Sequence, residues 1–147
     1  MTGGQLDPEI VRRHLLALDQ AIQNLRRHAG ATLERLRSDQ DERWIVERGL
    51  QVCAQNVLDV ATHLVAAAGR DAQDYTAAID QLVGLGVLPG EFTARLRGLA
   101  GFRNVLVHAY LDVDLARLCR VLNERLDDLG EFARLVQDYL ERSARAD

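Results

Sequence analysis

Lysine is absent from this chain of 147 residues, and proline, cysteine and aromatic residues are scarce. All 18 basic residues are arginine, as the coding bias of a GC-rich genome would produce. The physical consequence is that every cation is permanently charged and offers a planar, two-pronged donor set to phosphate or carboxylate. Two prolines and 5% aromatics exclude an all-β sandwich or barrel, which needs many turn residues and β-branched runs. Two cysteines, Cys53 and Cys119, exclude a disulfide framework and a metal knuckle; both stand in apolar helical patterns and read as buried, reduced thiols. No stretch approaches the roughly 18 apolar residues of a membrane span, since the longest apolar run, Val57 to Gly69, is broken by Asp59, Thr62 and His63. The first residues, MTGGQLDPEIVRRH, lack the apolar core of a signal peptide, so a cytoplasmic protein without membrane contact is expected. The net charge of −4 argues against coating nucleic acid by bulk electrostatics but leaves room for a local basic cleft.

What is abundant is helix-forming and apolar. Apolar residues make up 48% of the chain and charged residues 27%, enough for a core, and the length suits one domain over residues 1–147. Asp7-Pro8 has the form of an N-cap followed by proline, after which Val11, Leu15, Leu18, Ile22 and Leu25 recur along one helix face. The stripe loosens near Gly30 and continues through Leu33 and Leu36. Ser38-Asp39-Gln40-Asp41 resembles a capping box and predicts a second helix reaching Gly69, with Trp44, Ile45, Leu50, Val52, Val57, Val60, Ala61, Leu64 and Val65 as its apolar set. A third helix is predicted over 71–86, with Tyr75, Ile79, Leu82 and Val83 inward. Pro89 opens a fourth that carries Phe92, Leu96, Leu99, Phe102, Leu106 and Tyr110. Asp112-Val113-Asp114 supplies a turn and a new N-cap for a fifth helix, striped from Leu115 to Leu140. Five helices with short polar breaks make an all-α, antiparallel helical bundle the economical fold.

The chemistry-bearing stretch is Gly101-Phe102-Arg103-Asn104-Val105-Leu106-Val107-His108-Ala109-Tyr110. On a helix Asn104 and His108 share a face one turn apart, with Arg103, Val107 and Tyr110 on the neighbouring one. An arginine and a histidine converging on one cleft suit RNA cleavage without a metal. The imidazole moves the proton of the ribose hydroxyl, and the guanidinium forks onto the phosphate as its charge spreads. Taken alone, the spacing favours a structural role: Arg103 capping a carboxylate, His108 bonded to a carbonyl, Tyr110 packing at the rim and Asn104 a neutral passenger.

The wider sequence resembles the HepT-like toxins of the HEPN superfamily. Arg103-Asn104 to His108-Ala109-Tyr110 matches that family's R-N-x-x-x-H-x-Y signature, and Leu111-Asp112-Val113-Asp114 continues it. Glu47-Arg48-Gly49-Leu50-Gln51 and Asp59-Val60-Ala61-Thr62-His63-Leu64 are similar to its second-helix block, and Gly86-Val87-Leu88-Pro89 to the segment before the motif. The resemblance implies a homodimer whose shared cleft holds Arg103 and His108 as catalytic residues, with Asn104 supporting them, and RNA as substrate without metal or cofactor. It also implies a cognate nucleotidyltransferase antitoxin of the MntA type that silences the toxin by transferring AMP onto Tyr110. Bulky anionic groups there would fill the cleft and repel a phosphate backbone. One departure is clear: many relatives carry Ile-Glu before the second-helix aspartate, where this chain has Ala54-Gln55.

Other polar residues divide more simply. Asp59 and His63 lie one turn apart, either as a polar pair between helices or beside the cleft. His14 and His28 have no ligand-like spacing with cysteines or carboxylates, so no metal is expected, and the arginine pairs at 12–13 and 26–27 read as solvated helix faces. From a different functional class, a catalytically silent helical binding partner of a minimal nucleotidyltransferase fits the net acidity and the amide at Gln55.

Overall fold

The computed structural model describes residues 5–107 and 114–146. Among them are eight helices: α1 (Pro8–Arg26), α2 (Leu33–Ser38), α3 (Gln40–Ala67), α4 (Tyr75–Gly84), α5 (Gly90–Leu96), α6 (Leu99–Val107), α7 (Leu115–Glu124) and α8 (Leu126–Ala146). The fold is the expected all-α bundle, with three of the five expected helices each divided in two. The first divides because Gly30 takes a φ of +91°, which the right-handed helix cannot absorb. The fourth divides between Leu96 and Leu99, around Gly98, and the fifth at Arg125.

Capping explains most of the boundaries. Asp7 accepts from the N–H groups of Glu9 and Ile10 at 3.0 and 3.3 Å, with Pro8 in the first turn where its missing donor costs nothing. Asp39, one residue later than the expected Ser38, caps α3 by accepting from Glu42 N–H at 3.0 Å. α4 starts at Tyr75 rather than near Asp71, because Asp74 caps it through Ala77 N–H at 2.8 Å. Asp114 opens α7 as expected, accepting from Arg117 N–H at 3.0 Å.

α3 is the central element and packs against α1, α4 and α6 and, over shorter stretches, α2, α7 and α8. At 28 residues it is about 42 Å long, enough to serve them all. Its approach to α1 is close: a Cβ at Gly49 would lie 2.6 Å from Leu25 Cδ2, so only glycine fits without repacking. The stripe of α1, Val11, Leu15, Leu18, Ile22 and Leu25, is buried as expected, as are Leu118, Leu122, Leu126, Leu129, Phe132, Val136 and Leu140 from α7 and α8. Trp44 and Ile45 depart from expectation, being 58% and 51% exposed, and Val83 is exposed as well. They follow the helical period loosely, but they lie on sectors of α3 and α4 that the packing leaves open. Cys53 is buried, and burial pushes its thiol up to about 12, whereas Cys119 is half-buried, with its Sγ 3.4 Å from the Ala31 carbonyl.

A charged cluster ties the first breaks together. Glu42, at the start of α3, is nearly buried and receives Arg35 Nε at 2.5 Å and His28 Nδ1 at 2.7 Å. The Arg35 bond, followed by that of His28, holds its carboxyl down at about 2. His14 is also satisfied, its Nδ1 lying 2.8 Å from Asn56 Oδ1.

Candidate active site

α6 is positioned by Phe102 and Leu106, four residues apart and both buried. Residues one step further round the helix must therefore lie at the edge of the core, which is where Arg103 is half-buried and Asn104 exposed. On α3, the inward face is Val57, Val60, Ala61 and Leu64, and Gln55 and Asp59 stand one turn apart on its flank. The packing of α6 on α3 brings these two flanks together.

The result is a chain of hydrogen bonds running across the helix pair. Gln55 Nε2 donates to Asp59 Oδ1 at 2.7 Å, and Gln55 Oε1 accepts from Arg103 Nε at 2.9 Å. Arg103 Nη1 donates to Asn104 Oδ1 at 3.1 Å, and the guanidinium lies 5.8 Å from the centre of the Tyr75 ring. The group is thus held from three sides, while two of its five N–H donors have acceptors among the described residues. Its direct partners among the described residues are neutral amides, and no described carboxylate is bonded to it. An arginine pinned in this way, with donors to spare, is prepared to fork onto a phosphate.

Beside it, a cavity of about 580 Å³ is lined by Asn104 from α6, Thr62, Val65 and Ala66 from α3, and the link leading to Tyr75. Arg103 does not line it, but Asn104 and Tyr75, which hold the guanidinium, both do, and the space has room for a nucleotide. His63 does not join this network: its Nε2 accepts from Asp7 N–H at 3.3 Å, fastening the start of α1 to α3. Asp59 bonds to Gln55 instead of to His63. Among the described residues, no group of three or more histidine, cysteine or carboxylate side chains is arranged to hold a metal. No described helix is long and apolar enough to cross a membrane. His108 and Tyr110 lie outside the described residues.

Sequence reasoning did not anticipate two parts of the site. Tyr75, read as a core residue, is half-buried with its ring toward Arg103, and nothing in its neighbourhood signals this. Gln55 looks like a loss of function when set against relatives with a carboxylate, yet it is the residue that bridges Asp59 to Arg103. Its spacing of four from Asp59 on a helix was the available signal.

A family model described as "Ribonuclease HepT-like" matches residues 18–136. A curated protein from Aphanizomenon flos-aquae (strain 2012/KM1/D3), called tRNA nuclease HepT, is 24% identical over 137 residues, 92% of each chain. Among solved structures, the tri-AMPylated Shewanella oneidensis HEPN toxin in complex with MNT antitoxin superposes with a TM-score of 0.76 at 20% identity, covering 88% of this chain and 97% of that one. The cytosolic protein YutE of Bacillus subtilis, of unknown function, superposes with a TM-score of 0.80 at 20% identity, covering 97% and 95%. At this identity, the structural likenesses establish the fold.

Proposed function

The chain belongs to the ribonuclease HepT-like family, and from that premise we propose that it is the toxin of a toxin–antitoxin pair, an endoribonuclease that works without metal at the cleft of a homodimer. The observation that carries this reading is the pinned Arg103, whose bonded partners among the described residues are amides, with a cavity lined by its neighbours Asn104 and Tyr75. Arg103 forks onto the scissile phosphate. His108, four residues after Asn104 in the motif, takes the proton of the ribose hydroxyl as its oxygen attacks phosphorus, and a proton is returned to the oxygen that leaves. Asn104 orients these groups. Asp59 acts at one remove, through Gln55, and His63 is left to hold α1.

Silencing is assigned to a cognate MntA-like nucleotidyltransferase antitoxin that transfers AMP onto Tyr110, a reading supported by the tri-AMPylated toxin among the structural neighbours. Each adenylyl group would add a negative charge to the motif that carries Arg103 and compete with RNA for it.

Converting His108 to Ala is expected to lower RNA cleavage by about 10²–10⁴-fold with the fold intact, the usual worth of one positioned acid–base group. Equal cleavage by the two purified proteins rejects the assignment of His108, whereas no cleavage by the wild type at any concentration leaves the catalytically silent binding partner in its place. Incubation with the partner enzyme and ATP should raise the intact mass in steps of about 329 Da, the adenylyl formula mass, and Tyr110→Phe should abolish them.

A further inference from the structure

A second cleft lies between α5–α6 and α7–α8, on the side of α6 that Phe102 faces. Its volume is about 260 Å³, near the low end of the roughly 300–1,000 Å³ of small-molecule pockets, and its floor is the apolar side chains of Leu99, Phe102, Val121 and Leu129. Four guanidiniums stand around it, those of Arg95, Arg117, Arg120 and Arg125, against two carboxylates, Glu124 and Asp128. Asp128 is shared, receiving Arg95 at 3.4 Å and Arg125 at 3.2 Å. Arg117 is held over the Phe102 ring at 5.0 Å and donates to the Gly98 carbonyl at 3.4 Å, with no ion pair among the described residues. Arg120 is exposed and has no ion pair among the described residues.

In a protein of net charge −4, this is a local reversal of sign over an apolar floor. Arg117 and Arg120, three residues apart on α7, share the face turned to the cleft. Two forks at the rim without an ion pair among the described residues match a phosphate, and an apolar floor edged by an aromatic ring matches a base. An acidic peptide would use the charge but leave the floor unfilled.

We infer that this cleft binds one nucleotide unit of the RNA away from the scissile bond, with Arg117 and Arg120 on its phosphate and the base against Leu99, Phe102 and Val121. This rests on the ribonuclease reading above. Phe102 and Arg103 are consecutive, so the two sites flank one helix about 100° apart, and a strand crossing α6 engages both. The unit is held by shape and charge, without sequence readout.

The test uses the full chain carrying His108→Ala, so that binding is read without cleavage, and a fluorescein-labelled single-stranded RNA followed by anisotropy. Arg120→Ala should weaken binding at least threefold, and Arg117→Ala with Arg120→Ala at least tenfold, lowering the salt slope by about 0.7 as the contact to one phosphate is lost. Arg134→Ala, an exposed arginine already paired with Glu131 and Asp138, should leave affinity where it was. Arg120 makes no contact that the fold depends on, so its single variant keeps the test readable if the double variant unfolds. Unchanged RNA affinity in Arg120→Ala overturns the inference, and so does a loss confined to free AMP, which would make the cleft a mononucleotide site. Loss of antitoxin binding with RNA affinity unchanged also overturns it. A wild type that fails to cleave but whose His108→Ala form binds RNA through Arg120 refutes the ribonuclease reading alone.

Discussion

Replacing Glu42 by Gln isolates the charge of the one buried carboxylate at the start of α3. The carboxyl is held down from 4.5 to about 2, first by the bond from Arg35 and then by that from His28. At about 1.4 kcal/mol per pKa unit, this shift corresponds to about 3 kcal/mol. The Arg35 side chain is 53% exposed, so water screens much of the attraction, and a loss of about 1–2 kcal/mol at neutral pH is expected. A lowered carboxyl favours the folded state only while it is ionised: its contribution is complete above a pH of about 4.5 and disappears as the pH falls toward about 2. Urea unfolding of both proteins between pH 7 and pH 3 reads this directly. The gap in stability should be widest at neutral pH and narrow steadily below pH about 4.5. A second arm adds Arg35→Ala, and the double variant should lose less than the two single losses combined, since they share one interaction. A gap that stays constant with pH, or none at pH 7, refutes the view that the cluster of His28, Arg35 and Glu42 stabilises the junction of α1, α2 and α3.

Two further perturbations separate packing from chemistry. Gly130→Ala, where nothing lies within 4 Å of the new methyl group, should stabilise α8 by about 0.5–1 kcal/mol in thermal unfolding. Gly49→Ala meets Leu25 Cδ2 at 2.6 Å, so overpacking of about 1–3 kcal/mol should cancel that gain or exceed it; a clear rise in stability would show that α1 and α3 can separate at little cost. Gln55→Ala removes both bonds of the bridge between Asp59 and Arg103, and kcat/KM for RNA should fall about tenfold as the guanidinium loses its orientation, with the unfolding midpoint little changed. Undiminished cleavage would show that Gln55 does not position Arg103.

Local regularities were legible because they depend on residues within one or two helical turns. The apolar stripes of α1, α7 and α8, the cap at Asp7 and the cap at Asp114 all follow from i, i+3 and i, i+4 spacing and from short polar side chains that reach their own backbone. The same reasoning merged α1 with α2, α5 with α6 and α7 with α8, because an apolar period persists across a glycine or a single turn that redirects the axis. It also turned Trp44 and Ile45 inward, since periodicity reveals an apolar face but not whether another helix arrives to cover it.

By itself, the sequence determined the all-helical class, the caps at Asp7 and Asp114, the buried stripes of α1, α7 and α8 and the motif that holds Arg103 and Asn104. Tertiary structure alone decided which side chains meet. Gln55 reaches Arg103 from 48 positions away and Asp7 reaches His63 from 56, while the arginine-rimmed cleft draws on four helices. Helix formation is governed by neighbours along the chain, but a site is made where separate helices pack. Their relative placement is set by the summed burial of the whole core, not by any single segment.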